Sequence, residues 1–144
     1  MTTHVQGTEP YAWPYDGRIA GTQFALVLAG WDQGWHDRSS GADAAAAACD
    51  RLAVAVEEMG GTVILLAHAG APVLSTAASA PLVITVPVID GFHGTPLDLT
   101  LRSAGLTHLL VAGHGIEGAV HSTLRSANDR GYECLLVEDG TQSY

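Results

Sequence analysis

The chain has 144 residues, the length of a single domain, so it can bury one core but not two. It is 47% hydrophobic and 15% charged, which excludes a disordered polypeptide. Six basic residues against fifteen acidic ones leave a net charge of −9, and with no lysine among them there is no lysine Schiff base, general base or phosphate clamp. The acidic balance argues against nucleic acid as a partner and against an anionic membrane surface. No apolar run reaches the length of a membrane span, and the first 17 residues (MTTHVQGTEPYAWPYDG) lack the charged-then-apolar pattern of a leader. Cys49 and Cys134 form no CxxC, no zinc spacing and no disulfide framework, so a cytoplasmic protein is expected.

In chain order, 24–29 (FALVLA) predicts a buried strand ended by Gly30, and 42–59 an Ala-rich helix with Leu52, Val54, Val56 and Met59 on its apolar face. Gly60-Gly61 stops that helix. A second strand follows at 62–67, then a small-residue loop at 69–81 and a third strand at 82–86, closed by Pro87. Thr95 and Pro96 open a helix running to Gly105. A fourth strand spans 107–112, a GHG turn 113–115, a further helix runs to about Arg130, and a fifth strand covers 132–137. Short apolar strands alternating with helices predict one α/β domain over 1–144, a Rossmann-like doubly wound three-layer fold with a mainly parallel sheet of about five strands. Residues 1–22 form an N-terminal arm.

Three segments carry a family signature. YAWPYDGRIAGTQFALVLAGWDQGW (11–35) has a Pro-Tyr-Asp-Gly lead-in before its strand, and DGFHGTPLDLTLRSAGLTHLLVAG (90–113) has a Gly-Thr pair opening a helix. LLVAGHGIEGAVHSTLRSANDRGYECLLVEDG (109–140) joins a VAG strand end, a helix and an RGY-led strand. Together they resemble the isochorismatase-like cysteine hydrolases, in the branch of the carbamoylsarcosine and biuret amidohydrolases. The resemblance implies a cysteine nucleophile at a helix N-terminus, an aspartate base, a lysine, and an oxyanion hole of backbone amides beside a cis peptide. Position by position, the aspartate falls at Gly30, the lysine at Val86 and the cysteine at Ala119, so none of the three catalytic side chains is present. The cis peptide would fall at His114–Gly115, with the amides of Gly115 and Ala119 as donors. The family's metal region lies near His68, which has no Asp or second His beside it in sequence, so no metal and no cofactor are expected. The family continues past this point with a helix and a strand. That difference leads us to expect a partly bare fifth strand and an oligomer, either of this chain or with an intact relative.

What remains for chemistry is histidine and a few acids. His36, His68, His93 and His114 lie near strand ends or loops, and an imidazole titrates near neutral pH. His114 is the leading acid/base candidate, with His93 behind it. Asp32 could replace the missing acid only if the first strand bulged by two residues, because the ungapped match sets Trp31 and Trp35 on the family's apolar positions. Asp90 is a candidate for a polar ligand, and Glu117 reads as a first-turn acid. Trp13, Tyr15, Trp31, Trp35 and Phe92 could line an apolar slot or hold the arm. His4, His108 and His121 read as ordinary surface or strand-start residues. The expectation is a catalytically degenerate relative that binds a small carbonyl or carboxylate ligand or serves as a structural or regulatory subunit. The alternative is a repurposed isomerase, lyase or cyclase using a histidine such as His114. A site collapsed onto Val86 and Ala119 favours the first, and a ligand-sized cavity the second.

Overall fold

A computed structural model describes residues 6–8, 13–15 and 17–143. His4, Tyr11 and Asp16, named above, lie outside them. β1 (Phe24–Ala29) sits at the centre of a five-stranded, wholly parallel sheet of order β3-β2-β1-β4-β5, with β2 at Thr62–His68, β3 at Leu82–Val86, β4 at His108–His114 and β5 at Glu133–Gln142. This is the doubly wound arrangement the alternation predicts.

Because side chains alternate across a strand, each central strand feeds two cores. Ala25, Val27 and Ala29 join Ile64, Leu66, Leu109 and Val111 under Leu97 and Leu101 of α3 (Leu97–Ser103) and Ala127 of α4 (His121–Asp129). Leu26 and Leu28 join Val63, Leu65 and Ala112 under α2 (Ala42–Glu58). The buried face of α2 is made of Ala42, Ala45, Ala48, Cys49, Ala53 and Val56, while Val54 and Met59, expected on the apolar face, are exposed. Small residues let this helix lie close to the sheet, where Cys49 Sγ lies 3.3 Å from the Gly140 carbonyl oxygen. Burial pushes the Cys49 thiol up to about 12, so it packs as an inert side chain. The helix ends in a Schellman motif: Gly60, at φ 84°, donates to Glu57 and Gly61 to Val56.

Three expectations at the carboxyl ends of the strands need correction. β4 runs on through Gly113 and His114, which the GHG pattern had marked as a turn, because His114 pairs with Gln142. β5 therefore extends to Gln142 instead of stopping at Val137; residues 137–140 bulge opposite Ala112, and the Thr141 hydroxyl closes the bulge on the Val137 carbonyl at 2.7 Å. Among the described residues every peptide bond is trans, so His114–Gly115 is not cis; Gly115 turns the chain at φ 80° instead. A short helix α1 (Gln33–His36), not foreseen, follows β1, and the turn of Ile116–Val120 into α4 is a π-helix.

At the opposite end of the sheet Tyr15 ties the N-terminal arm down. Its hydroxyl donates to the Glu133 carbonyl at 2.8 Å, and its ring meets His108 edge-on. No helix among the described residues is long and apolar enough to cross a membrane.

Candidate functional site

The carboxyl ends of β1, β2 and β4 converge where ligands enter open α/β sheets. Gly30 leaves β1 with φ 59°, which redirects the chain so that Trp31 and Asp32 no longer follow the strand's alternation. The segment is then pinned to the 69–81 loop: Gln33 N–H donates to the Pro72 carbonyl at 2.9 Å and Leu74 N–H to that of Trp31 at 3.1 Å. Trp31 turns towards the α2 side and Trp35 towards the α3/α4 side.

Asp32 is the N-cap of α1 and only 1% exposed. Its Oδ1 accepts from Trp35 N–H at 3.1 Å, and its Oδ2 accepts from the backbone N–H of His68 at 3.0 Å. His68 Nδ1 also lies 3.0 Å from Oδ2, and Trp35 Nε1 lies 3.0 Å from that same Nδ1. Nδ1 thus stands between two groups: it accepts from Trp35 Nε1–H in one tautomer and donates to the Asp32 carboxylate in the other. The other ring nitrogen, Nε2, is buried without a hydrogen-bond partner. Burial pushes the Asp32 carboxyl up, but the His68 and Trp35 donors outweigh it and hold it below its ordinary value. Replacing Asp32 with Asn should lower stability by about 2–3 kcal/mol, because the amide cannot satisfy the same donors. Urea unfolding at pH 7 checks this, and a loss under about 0.5 kcal/mol would contradict it.

His114 is fully buried. Its ring stacks on Trp31 at 5.2 Å with planes 2° apart, and it meets His36 edge-on at 5.2 Å. Neither ring nitrogen has a hydrogen-bond partner. Burial, reinforced by His36 and partly offset by Asp32, drives its pKa down to about 4. The residue expected on a pocket lip is thus a core side chain, because the rings of Trp31 and His36 pack against it. His36 reaches instead to Asp43 at the start of α2, 3.1 Å away.

Gly30, Gly115 and Gly118 lie around one indole, that of Trp35. Val86 and Ala119 are buried in the same apolar cluster as Trp35 and Phe92. A side chain at Gly30 would come 3.2 Å from Trp35, and one at Gly115 or Gly118 would overlap its six-membered ring. The Gly115 amide, expected as an oxyanion donor, is already given to the Gln142 carbonyl at 2.8 Å. Phe92 is a core residue under Arg130, and Asp90 holds its loop by accepting from Phe92 N–H at 2.9 Å and from the Ser126 hydroxyl at 2.7 Å. His93 and Glu117 stay exposed. The aromatic residues line no common slot, since Trp31 and Trp35 lie on opposite faces and Tyr15 at the other end of the sheet. Among the described residues no three His, Cys, Asp or Glu side chains are grouped to hold a metal ion. The role of Trp35 was not foreseen, although three glycines around one ring (Gly30, Gly115, Gly118) are the trace it leaves in the sequence.

Residues 71–144, half of the chain, match the family model of the isochorismatase domain. The chain belongs to the isochorismatase family. A ureidoacrylate amidohydrolase of Methylobacterium radiotolerans is 38% identical over 66 residues, which span 46% of this chain and 26% of that protein. The match thus extends over about a quarter of that curated relative. An isochorismatase of Pseudomonas putida has the same fold, with a TM-score of 0.76 and 26% identity over 87% of this chain and 73% of its own. The nicotinamidase of Staphylococcus aureus superposes with a TM-score of 0.77 at 18% identity, covering 85% of each chain, a likeness of fold alone. The isochorismatase fold expected from the sequence is therefore the one observed.

Proposed function

We propose that this isochorismatase-family chain is catalytically degenerate: it does not hydrolyse amides by the family's cysteine mechanism and acts as a structural or regulatory subunit. The observation that carries this reading is the Trp35 indole, lodged against Gly30 and Gly115, to which the resemblance gives the acid and an oxyanion donor, and against Gly118 beside Ala119, to which it gives the nucleophile. By the resemblance, Gly30, Val86 and Ala119 stand at the positions of the acid, the lysine and the nucleophile. A thiolate, a base and a cation are what make that chemistry run, and an apolar cluster supplies none of them. The same packing counts against a small carbonyl or carboxylate ligand at this point, since the Gly115 amide is already paired. It also counts against His114 as an acid/base. A fully buried imidazole with a pKa near 4 neither reaches a substrate nor exchanges protons near pH 7. We assign the chain to the cytoplasm as one domain without cofactor.

The test is ammonia release from ureidoacrylate and from nicotinamide by the purified chain. The expected rate equals that of buffer alone. Release that scales with protein concentration and approaches about 1 s⁻¹ per chain, the low end of ordinary enzyme turnover, would overturn the proposal.

A further inference from the structure

The edge of the sheet at β3 has an unusual composition. From Ala69 to Ile89 there is no charged residue, in a chain with fifteen acidic and six basic ones. Leu82, Val83, Val88 and Ile89 are 44%, 53%, 42% and 48% exposed along that edge. Exposed sheet edges are ordinarily guarded by charged side chains, bulges or proline. Here only proline is used, and its placement is informative. The Val86 carbonyl accepts from Ala69 N–H at 3.2 Å on the β2 side. Amides alternate along a strand, so residues 82, 84 and 86 address β2 while Val83 and Thr85 direct their N–H and C=O outward. Pro81 and Pro87 continue the outward row and offer no N–H. The free ladder is thus cut to two residues with a spacing of two.

We propose that this edge is the contact between two copies of the chain, β3 against β3, antiparallel about a twofold axis at Ile84. That register sets Val83 opposite Thr85 of the second copy and Thr85 opposite its Val83. Each pair exchanges both backbone bonds, about four in all. The prolines end the ladder on both sides, so the pairing closes as a dimer rather than extending into a stack. The exposed apolar residues at 82, 83, 88 and 89 lie along the same edge. Charge decides the occupant: two chains of −9 repel over most of their surfaces, and an uncharged edge lets them meet without opposing carboxylates. The inference is independent of whether the site under Trp35 is catalytic.

Sedimentation equilibrium tests it on the full chain up to a concentration on the order of 100 µM. The wild type should give a mass near twice 14.9 kDa. Val83→Asp sets a carboxylate into the contact from each side, and Thr85→Pro removes an outward N–H that the fold does not use. Each should raise the dimer dissociation constant by about tenfold or more while leaving the circular dichroism spectrum unchanged. Thr85→Pro decides the matter if Val83→Asp fails to fold, and the reverse. Leu136→Asp, on the opposite edge strand β5 where Leu136 is 41% exposed, should leave the dimer intact. A wild type that stays at 14.9 kDa overturns the proposal. So does a dimer that ignores both β3 substitutions, or one that only Leu136→Asp dissociates.

Discussion

Gly30→Asp, which would set a carboxylate where the resemblance puts the family's acid, is expected to lower stability by about 4 kcal/mol or to prevent folding. Three effects add. Gly30 has φ 59°, a left-handed conformation that an L side chain adopts only with strain. Any Cβ there would overlap the His114 carbonyl oxygen, a backbone atom held in β4 by its neighbours. The carboxylate itself would then sit against Trp35 without a donor. Gly131→Ala is the control. Gly131 has φ 88°, but a Cβ added there would meet nothing within 4 Å, so it should lose only about 1 kcal/mol of backbone strain. Urea unfolding of both variants separates the two, and equal losses would show that the crowding at Gly30 is not real. On the proposed reading, a carboxylate therefore cannot be introduced at Gly30 by one substitution, because the His114 carbonyl and the Trp35 ring already occupy the space it needs.

Acidification should destabilise the protein through His114, by about 3 kcal/mol between pH 7 and pH 4. The sign follows from burial. The folded pKa is about 4 against 6.5 for an ordinary histidine, so over that interval the unfolded chain binds a proton that the folded one refuses. Stability is complete above pH 6.5 and is lost as pH falls towards 4. The groups facing the ring are the Trp31 indole, the edge of His36 and, at longer range, the Asp32 carboxylate. Asp32, held below its ordinary 3.8, adds a further loss only under that pH. His114→Phe should keep the stack on Trp31, be close to neutral at pH 7 because neither nitrogen has a bond to lose, and remove the dependence between pH 6.5 and 4. Unfolding free energies of both proteins at pH 7, 5.5 and 4.5 check this. Parallel pH profiles would show that His114 is not the titrating group.

Much of the fold was legible because its signals are local. Runs such as FALVLA and TVILLA are apolar on both faces, as central parallel strands must be, and Gly60-Gly61 ends α2 by a mechanism that two residues suffice to specify. Errors arose where a distant partner decides. Gly113 and His114 look like a turn, yet Thr141 and Gln142 pair with them across the sheet and make them strand. Val54 and Met59 look like core on hydrophobicity alone, but a helix packed closely on a sheet buries the side with small residues.

The site divides in the same way. That Gly30, Val86 and Ala119 carry no acid, cation or nucleophile is a matter of residue identity; their equivalence to the family's catalytic positions is what the resemblance implies. An ungapped count along β1 gives Asp32 no place at the site. That count fails at Gly30, whose positive φ carries Asp32 to His68, 36 residues further on.

By itself the sequence determined the order of strands and helices, the charge and the family resemblance, because each depends on which residue stands where or on contacts near in the chain. Only the tertiary structure decided that Trp35 packs against Gly30, Gly115 and Gly118, that His114 is sealed between Trp31 and His36, and that the Asp32 carboxyl is held below its ordinary pKa by its His68 and Trp35 donors. Those outcomes depend on which groups exclude water from one another, and burial is a property of the packed chain rather than of any segment in it.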